Sequence, residues 1–432
     1  MSTTPVPASE TTALEAAYRK VGWRLIPFLM LCYFVAYLDR VNVGFAQLQM
    51  KADLQFSDAV YGFGAGVFFL GYFLFEVPSN LVLHRVGARI WIARIMITWG
   101  VISALTMFIQ TPTMFYVARF LLGLAEAGFF PGIILYLTYW YPAERRSQMT
   151  AWFMSAVALS GLIGGPVSGW ILGHFHGHSG LAGWQWLFLL EGVPAVVLGL
   201  AVLLYLDNGI ATARWLTDAE KRLLAGRIDA EAQGKTHVSA LQGMGSLRVW
   251  VLALVYFSVV MGLYGLGFWL PQMFKTTGVT DPIVIGWLVA IPYGVSIIAM
   301  ILVGRHADAR RERRWHVAIP AALGAGGLVL STLWTTSTVG AVLTLTLATC
   351  GIMTVLPLFW SLPTAFLSGT AAAAGIALIN ALGNLAGFFG PSIVGWVKQT
   401  TRSTNGGILV LAGFMILCAV LVLSLPAREI NR

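Results

Sequence analysis

Twelve apolar stretches of membrane-crossing length run along the chain, at 24–44, 59–79, 90–110, 113–140, 148–173, 184–206, 249–274, 283–304, 315–333, 338–366, 372–397 and 406–426. Short polar turns separate them, with one long polar stretch at 207–248. A helix needs about 20 apolar residues to cross a bilayer. Only helices and closed barrels satisfy their backbone in lipid, and barrel strands alternate over about 10 residues. These stretches are continuous and twice that length. The pattern predicts an all-α polytopic membrane protein of twelve transmembrane helices.

The long polar stretch divides the spans six and six. The expected organisation is a cytoplasmic tail over 1–20, a six-helix bundle over 21–207, a linker over 208–247 and a second six-helix bundle over 248–427. The first 17 residues lack the basic start and apolar stretch of a signal peptide and read as a short disordered tail. In the linker, WLTDAEKRLLAGRI predicts an amphipathic helix lying on the membrane surface. Thr217 stands three residues before Glu220, the spacing of a capping box.

The halves echo each other. NLVLHRVGAR follows the second span and GRHADARRERR the eighth, placing His84 and Asp308 224 residues apart. GLIGGPVSGW in the fifth span and GFFGPSIVGW in the eleventh place Pro166 and Pro391 225 apart. Two landmarks whose offsets agree within one residue indicate a tandem duplication and two pseudo-symmetric bundles. Such repeats in transporters enclose a site near the midplane and rock about it.

Charge sharpens this picture. Only 10% of residues are charged, against about a quarter in a soluble domain. Of the 27 Lys and Arg, 21 fall on the side of the termini, four on the other side (Lys51, Lys275, Lys398, Arg402) and two within spans. By the positive-inside rule both termini are cytoplasmic, in a multi-pass cell (inner) membrane protein. The net charge of +9 is therefore topological and does not imply nucleic acid. Cys32, Cys350 and Cys418 lie in apolar spans without metal-like spacing. His174, His176 and His178 read as a solvated loop. No metal, cofactor or catalytic group is expected, and no nucleophile–base pair or phosphate-cradling loop suggests an enzyme or ATP drive.

Four ionisable residues interrupt apolar spans: Asp39 and Arg40 in the first, Arg119 and Glu126 in the fourth. A charge in hydrocarbon costs several kcal/mol and marks an ion or substrate path. The arginines either neutralise neighbouring acids or hold a carboxylate through paired hydrogen bonds. Glu126, two turns after Arg119 on the same face, is either a fixed ion-pair partner or a proton carrier. Asp39 is the second candidate for the proton, about 100° around the helix from Arg40. Glu76 and Glu191 sit nearer span ends and read as local or interdomain contacts. Gly161, Gly165, Gly169 and Gly387 read as close helix packing.

GRHADARRERR resembles the signature loop of the major facilitator superfamily. NLVLHRVGAR departs from it, with Asn80 and His84 in place of its Gly and Asp. YRKVGWRLIPFL, YLDRVNVGFA, EVPSNLVLHRVGARIWIARIMITWG, ARFLLGLAEAGFFPGIILYLTYWYPAERR, GFWLPQ and INALGNLAGFFGP together resemble the anion:cation symporter family, closest to its tartrate-like members. That resemblance implies substrate contact by Arg40 and Arg119 and proton coupling at Asp39 and Glu126. It also favours cavity roles for Tyr37, Tyr72, Asn380 and Asn384, with Trp360, Ser361 and Gln272 as weaker candidates. The expected function is proton-coupled uptake, by a monomer, of a small organic anion such as a tartrate-like hydroxy-dicarboxylate. The alternative is a proton-coupled exporter of a drug or metabolite.

Overall fold

The computed structural model describes residues 8–233, 246–366 and 369–430. The first span is α1 (Ala8–Val41) continued by α2 (Val43–Asp53) after a break at Asn42. α3 (Asp58–Val86) and α4 (Ala88–Leu105) are the second and third spans. The fourth is divided into α5 (Pro112–Glu126) and α6 (Phe129–Thr138), and α7 (Ala143–His174) and α8 (Gly183–Tyr205) complete the first half. α9 (Asp218–Gln233) lies in the linker. The second half holds α10 (Leu247–Thr276), α11 (Pro282–Arg310), α12 (Arg314–Ser331), α13 (Thr338–Phe359) with the short α14 (Ser361–Phe366), α15 (Gly369–Thr401) and α16 (Asn405–Ser424), and α17 (Ala427–Ile430) follows.

Eleven of the described helical segments are long and apolar enough to cross a membrane. The ninth span, α12, has 18 residues and carries Arg314 and His316 in its first turn, which dilutes its apolar content. It packs against α13 and α16 and completes the twelve. Large apolar side chains such as Leu204, Leu343 and Trp287 stand on the outside of the helices. In water such a surface would drive association; in lipid it is the surface required.

The packing repeats as the sequence does. The third span packs on the sixth and the ninth on the twelfth; the second on the fourth and the eighth on the tenth; the first on the fifth and the seventh on the eleventh. The halves meet through the fifth and eighth spans and, symmetrically, the eleventh and second.

Two segments differ from or refine the sequence reading. Residues 8–17, expected as part of a disordered tail, are helical and belong to α1. Leu14, Ala17, Tyr18 and Val21 recur every three or four residues and are buried, giving this segment a stripe to pack. Tyr18 stacks on Tyr141 at 6.0 Å, and Glu15 pairs with Arg145. Residues 1–7 lie outside the described residues. In the linker, the Thr217 amide donates to Glu220 (2.8 Å) and the Glu220 amide to Thr217 Oγ1 (3.3 Å), a reciprocal cap on α9. α9 folds back on α1, where Lys20 meets Glu220 at 3.0 Å and Leu224 is buried. Residues 234–245 of the linker lie outside the described residues.

With an even number of spans, the two ends of the chain and α9 share one face. On the far face the halves are closed on each other. Gln47 Nε2 (2.7 Å) and Tyr61 Oη (2.9 Å) both donate to the Phe268 carbonyl. Ser392 Oγ donates to the Gly62 carbonyl across the same seam, at 3.3 Å. Small residues allow the approach: a Cβ on Gly165 would stand 2.6 Å from the Gly286 carbonyl oxygen, and one on Gly62 2.6 Å from that of Pro391.

Overpacking of this kind costs about 1–3 kcal/mol. Gly165→Val is therefore expected to raise the share of molecules open at the far face by roughly tenfold, 1.4 kcal/mol being one factor of ten. The labelling rate of Val289→Cys, beside Gly165 in the seam, reads that share. An unchanged rate would contradict this contact as a limit on opening.

Candidate functional site

Arg40 stands thirteen residues before the end of α2, about 20 Å from the far face at 1.5 Å per residue. Its guanidinium is the meeting point of three spans. Nη2 pairs with Glu126 of α5, and Nη1 donates to the Tyr264 hydroxyl of α10 at 2.9 Å. Tyr264 lies 224 residues after Arg40, the offset of the His84–Asp308 landmark and within one residue of the other. The hydrogen bond thus joins the same position in the two halves. Aromatic rings enclose the charge: the guanidinium carbon lies 5.7 Å from the Tyr37 ring centre, 5.4 Å from Tyr72 and 5.5 Å from Phe68.

Arg119 is fully buried and its guanidinium carbon lies 5.1 Å from the centre of the same Phe68 ring. Its Nη2 reaches the carbonyls of Arg40 (3.4 Å) and Ala65 (3.5 Å), while Nε and Nη1 have no partner. Arg119 and Glu126 share a face of α5, yet Glu126 pairs with Arg40. Arg40 therefore has a carboxylate partner and Arg119 only backbone carbonyls. Glu126 is the last residue of α5, and its exposure to Arg40 depends on the break that follows. Gly128 takes φ +86°, and a Cβ there would stand 2.2 Å from Ser79 Oγ. A glycine at this position lets the fourth span turn against α3 directly after its carboxylate.

Asp39 faces elsewhere. Its carboxylate accepts hydrogen bonds from Trp99 Nε1 (2.9 Å) and Ser103 Oγ (2.8 Å) of α4, with Asn42 Nδ2 at 3.4 Å. Glu191, held by Ser168 at 2.7 Å, lies near the same asparagine. This second polar cluster packs inside the first half, and Asp39 makes no hydrogen bond to Arg119 in it. Asn380 and Asn384 come from α15 on the opposite wall. Asn380 Nδ2 donates to Glu76 Oε1 of α3 at 2.7 Å, and Asn384 faces the same carboxylate. Glu76 thus links the halves, and its Oε2 has no partner.

A family model described as the Major Facilitator Superfamily matches residues 29–391. The chain belongs to the Major Facilitator Superfamily. Among its relatives, an Agrobacterium vitis protein described as “Putative tartrate transporter” is 53% identical over 95% of both chains. A Pseudomonas putida protein described as “Putative metabolite transport protein NicT” is 49% identical over 97% of this chain and 96% of its own. An Acinetobacter baumannii protein described as a quinolone resistance transporter is 42% identical over 95% of each. The fold is shared with the xylose transporter XylE of E. coli in a partially occluded inward-open conformation, at TM-score 0.73 and 15% identity over 94% of this chain and 98% of that one. A bacterial homologue of the lysosomal transporter Spinster, inward-facing, gives TM-score 0.72 at 16% identity over 94% and 96%. The relatives agree with the anion:cation symporter resemblance. As a member of the superfamily the protein is a transporter of small organic molecules and not an enzyme.

In this facilitator the weaker candidates are spread out. Gln272 lies eight residues beyond Tyr264 on α10, about 12 Å nearer the far face. The Trp360 ring lies 4.8 Å from that of Tyr256 at the end of α13, and Ser361 Oγ donates to the Leu358 carbonyl. Neither meets the arginine cluster in the described contacts. The sequence reading missed Tyr264, although the repeat offset from Arg40 points to it, and missed Trp99 and Ser103, whose types are common in any span.

Removing one partner of a buried ion pair costs about 3–5 kcal/mol, because the other charge is stranded. Glu126→Leu should therefore lower the melting temperature in detergent more than the double variant Arg40→Leu/Glu126→Leu does. A double variant as unstable as the single, or less stable, would contradict the pairing.

Proposed function

We propose that the protein is a secondary active importer of a small organic anion, of the hydroxy-dicarboxylate class to which tartrate belongs, driven by protons. The observation that carries this reading is a pair of buried arginines of which only Arg40 has a carboxylate partner, Glu126, while Arg119 keeps two donors unpartnered. Buried charged donors are costly unless paired, and a guanidinium holds a carboxylate through two parallel hydrogen bonds. An incoming carboxylate would complete that pairing. The relatives named for tartrate and metabolite transport support the substrate class.

In this reading a proton on Glu126 neutralises the partner of Arg40, and Arg40 turns to the substrate carboxylate beside Arg119. Tyr37 and Tyr72 wall the charge, and Asn380 and Asn384 offer amides to substrate hydroxyls on the opposite side. Asn380 would exchange Glu76 for the substrate as the halves close. Asp39, held by neutral donors alone, can take or lose a proton without breaking an ion pair and serves as a second carrier. The halves rock about the Arg40–Tyr264 contact between the two access states. The protein acts as a monomer in the bacterial inner membrane, with both termini in the cytoplasm as the basic side of the chain indicates.

A second reading is proton-coupled export of a drug or metabolite, favoured by the relative described as a quinolone resistance transporter. Uptake of labelled acids and quinolones into proteoliposomes separates the two. Import predicts accumulation of L-tartrate or a related acid that requires an inward proton gradient. Arg119→Ala should abolish uptake with the protein still inserted, and Glu126→Gln should keep exchange but lose gradient-driven accumulation. Uptake of no acid, or full accumulation by Glu126→Gln, would contradict the reading.

A further inference from the structure

Three of the four basic residues assigned to the far side meet where the halves close. Asp58, in the first turn of α3, pairs with Lys51 of α2 and with Lys398 of α15, the latter at 3.0 Å. The Trp269 ring of α10 lies 5.8 Å from the Lys51 ammonium and 5.0 Å from that of Lys398. Lys275 of α10 donates to the Leu48 carbonyl at 2.7 Å, with Lys51 as its neighbouring charge. The nearby acids are occupied elsewhere: Asp53 accepts the Trp184 indole N–H (2.8 Å), and Asp281 caps α11 through the Ile283 amide (2.8 Å). Two ammonium groups thus share one carboxylate, and a third, Lys275, is held by a backbone carbonyl in the same half-buried seam.

Their division between the halves is uneven. Lys51 and Asp58 both belong to the first half and neutralise each other. Lys275 and Lys398 belong to the second half, and both of their partners lie across the seam. Opening of the far face therefore strips both lysines of partners at once. The second half, whose spans carry no charge in their interior, then shows two free ammonium groups above Trp269. Lys275 stands eleven residues beyond Tyr264, about 17 Å nearer the far face than the arginine cluster.

We propose that Lys275 and Lys398 form an outer carboxylate-collecting site, exposed only when the far face opens, with Asp58 taking the place of the anion when that face is closed. The site rests on the organic-anion reading given above, but on residues other than Arg40 and Arg119. Two unpaired positive charges at the mouth raise the local concentration of anions, and by a factor that salt reduces. Closure returns Lys398 to Asp58, which displaces the anion from the mouth towards the arginines.

A measurement independent of the substrate's identity tests this. In a Cys350→Ser background, with Cys32 and Cys418 buried, Ser392→Cys in the full-length protein is labelled from the far face by an anionic and by a cationic thiosulfonate of similar size. The ratio of the two rates cancels the fraction of open molecules and reports the charge at the mouth. Lys398→Gln and Lys275→Gln should each lower the anionic-to-cationic ratio about tenfold at low salt, the lower end of electrostatic steering. Asp58→Asn, which breaks the same ion pair as Lys398→Gln, should raise it. A seam that is only a latch would change both rates together and leave the ratio constant in all three variants, which overturns the proposal. The apparent KM for L-tartrate, raised by Lys398→Gln and not by Asp58→Asn, is the second readout. Wild-type protein that labels as expected but takes up no organic acid would reject the transport reading and leave the charge at the mouth established.

Discussion

The buried guanidinium of Arg40 is the point on which the rest of the structure depends. It is a permanent charge deep in an apolar fold, and such a charge is tolerated only with partners held in place. Those partners fix the geometry around it. Glu126 must be presented from the fourth span, which requires the helix to stop there and Gly128 to adopt a left-handed turn. Tyr264 must approach from the second half, which brings the seventh span against the first. Arg119 touches the Arg40 backbone, so a second positive charge is drawn into the same site.

The scaffold is symmetric and the chemistry is not. Packing pairs recur six spans apart, and the Arg40–Tyr264 hydrogen bond links equivalent positions near the pseudo-axis. One copy kept a charge there and the other an aromatic hydroxyl. The first half therefore holds the groups that carry charge. The second supplies Tyr264, Asn380 and Asn384 within the membrane, and lysines only at the far mouth. The halves also meet through Glu76 and Asn380, and in the proposed cycle the substrate would replace one partner of that contact.

Much of this was legible in the sequence because lipid leaves few choices. Span length, the charge split between loops and the 224-residue offset all follow from physical demands that local sequence must meet. The paired arginines and acids stood out because an apolar run makes a charge visible. Partner choice did not. The i, i+7 spacing puts Arg119 and Glu126 on one face, but the neighbour across that face decides which arginine Glu126 meets. The neutral donors around Asp39 were invisible for the same reason: Trp and Ser in a span carry no signal until a carboxylate is packed against them. The helical start at Ala8 was hidden because its apolar stripe is only four residues, Leu14, Ala17, Tyr18 and Val21, in an otherwise polar segment.

In the proposed cycle anion binding and proton binding favour each other through a single ion pair, Arg40 with Glu126. Proton exchange on binding tests it most directly. Purified protein in weakly buffered detergent is titrated with L-tartrate and related acids while the pH of the solution is followed. Saturable binding should take protons from solution, and Glu126→Gln should bind the anion with this uptake lost or much reduced. Saturable binding with no proton exchange in the wild type, or unchanged exchange in Glu126→Gln, would contradict it.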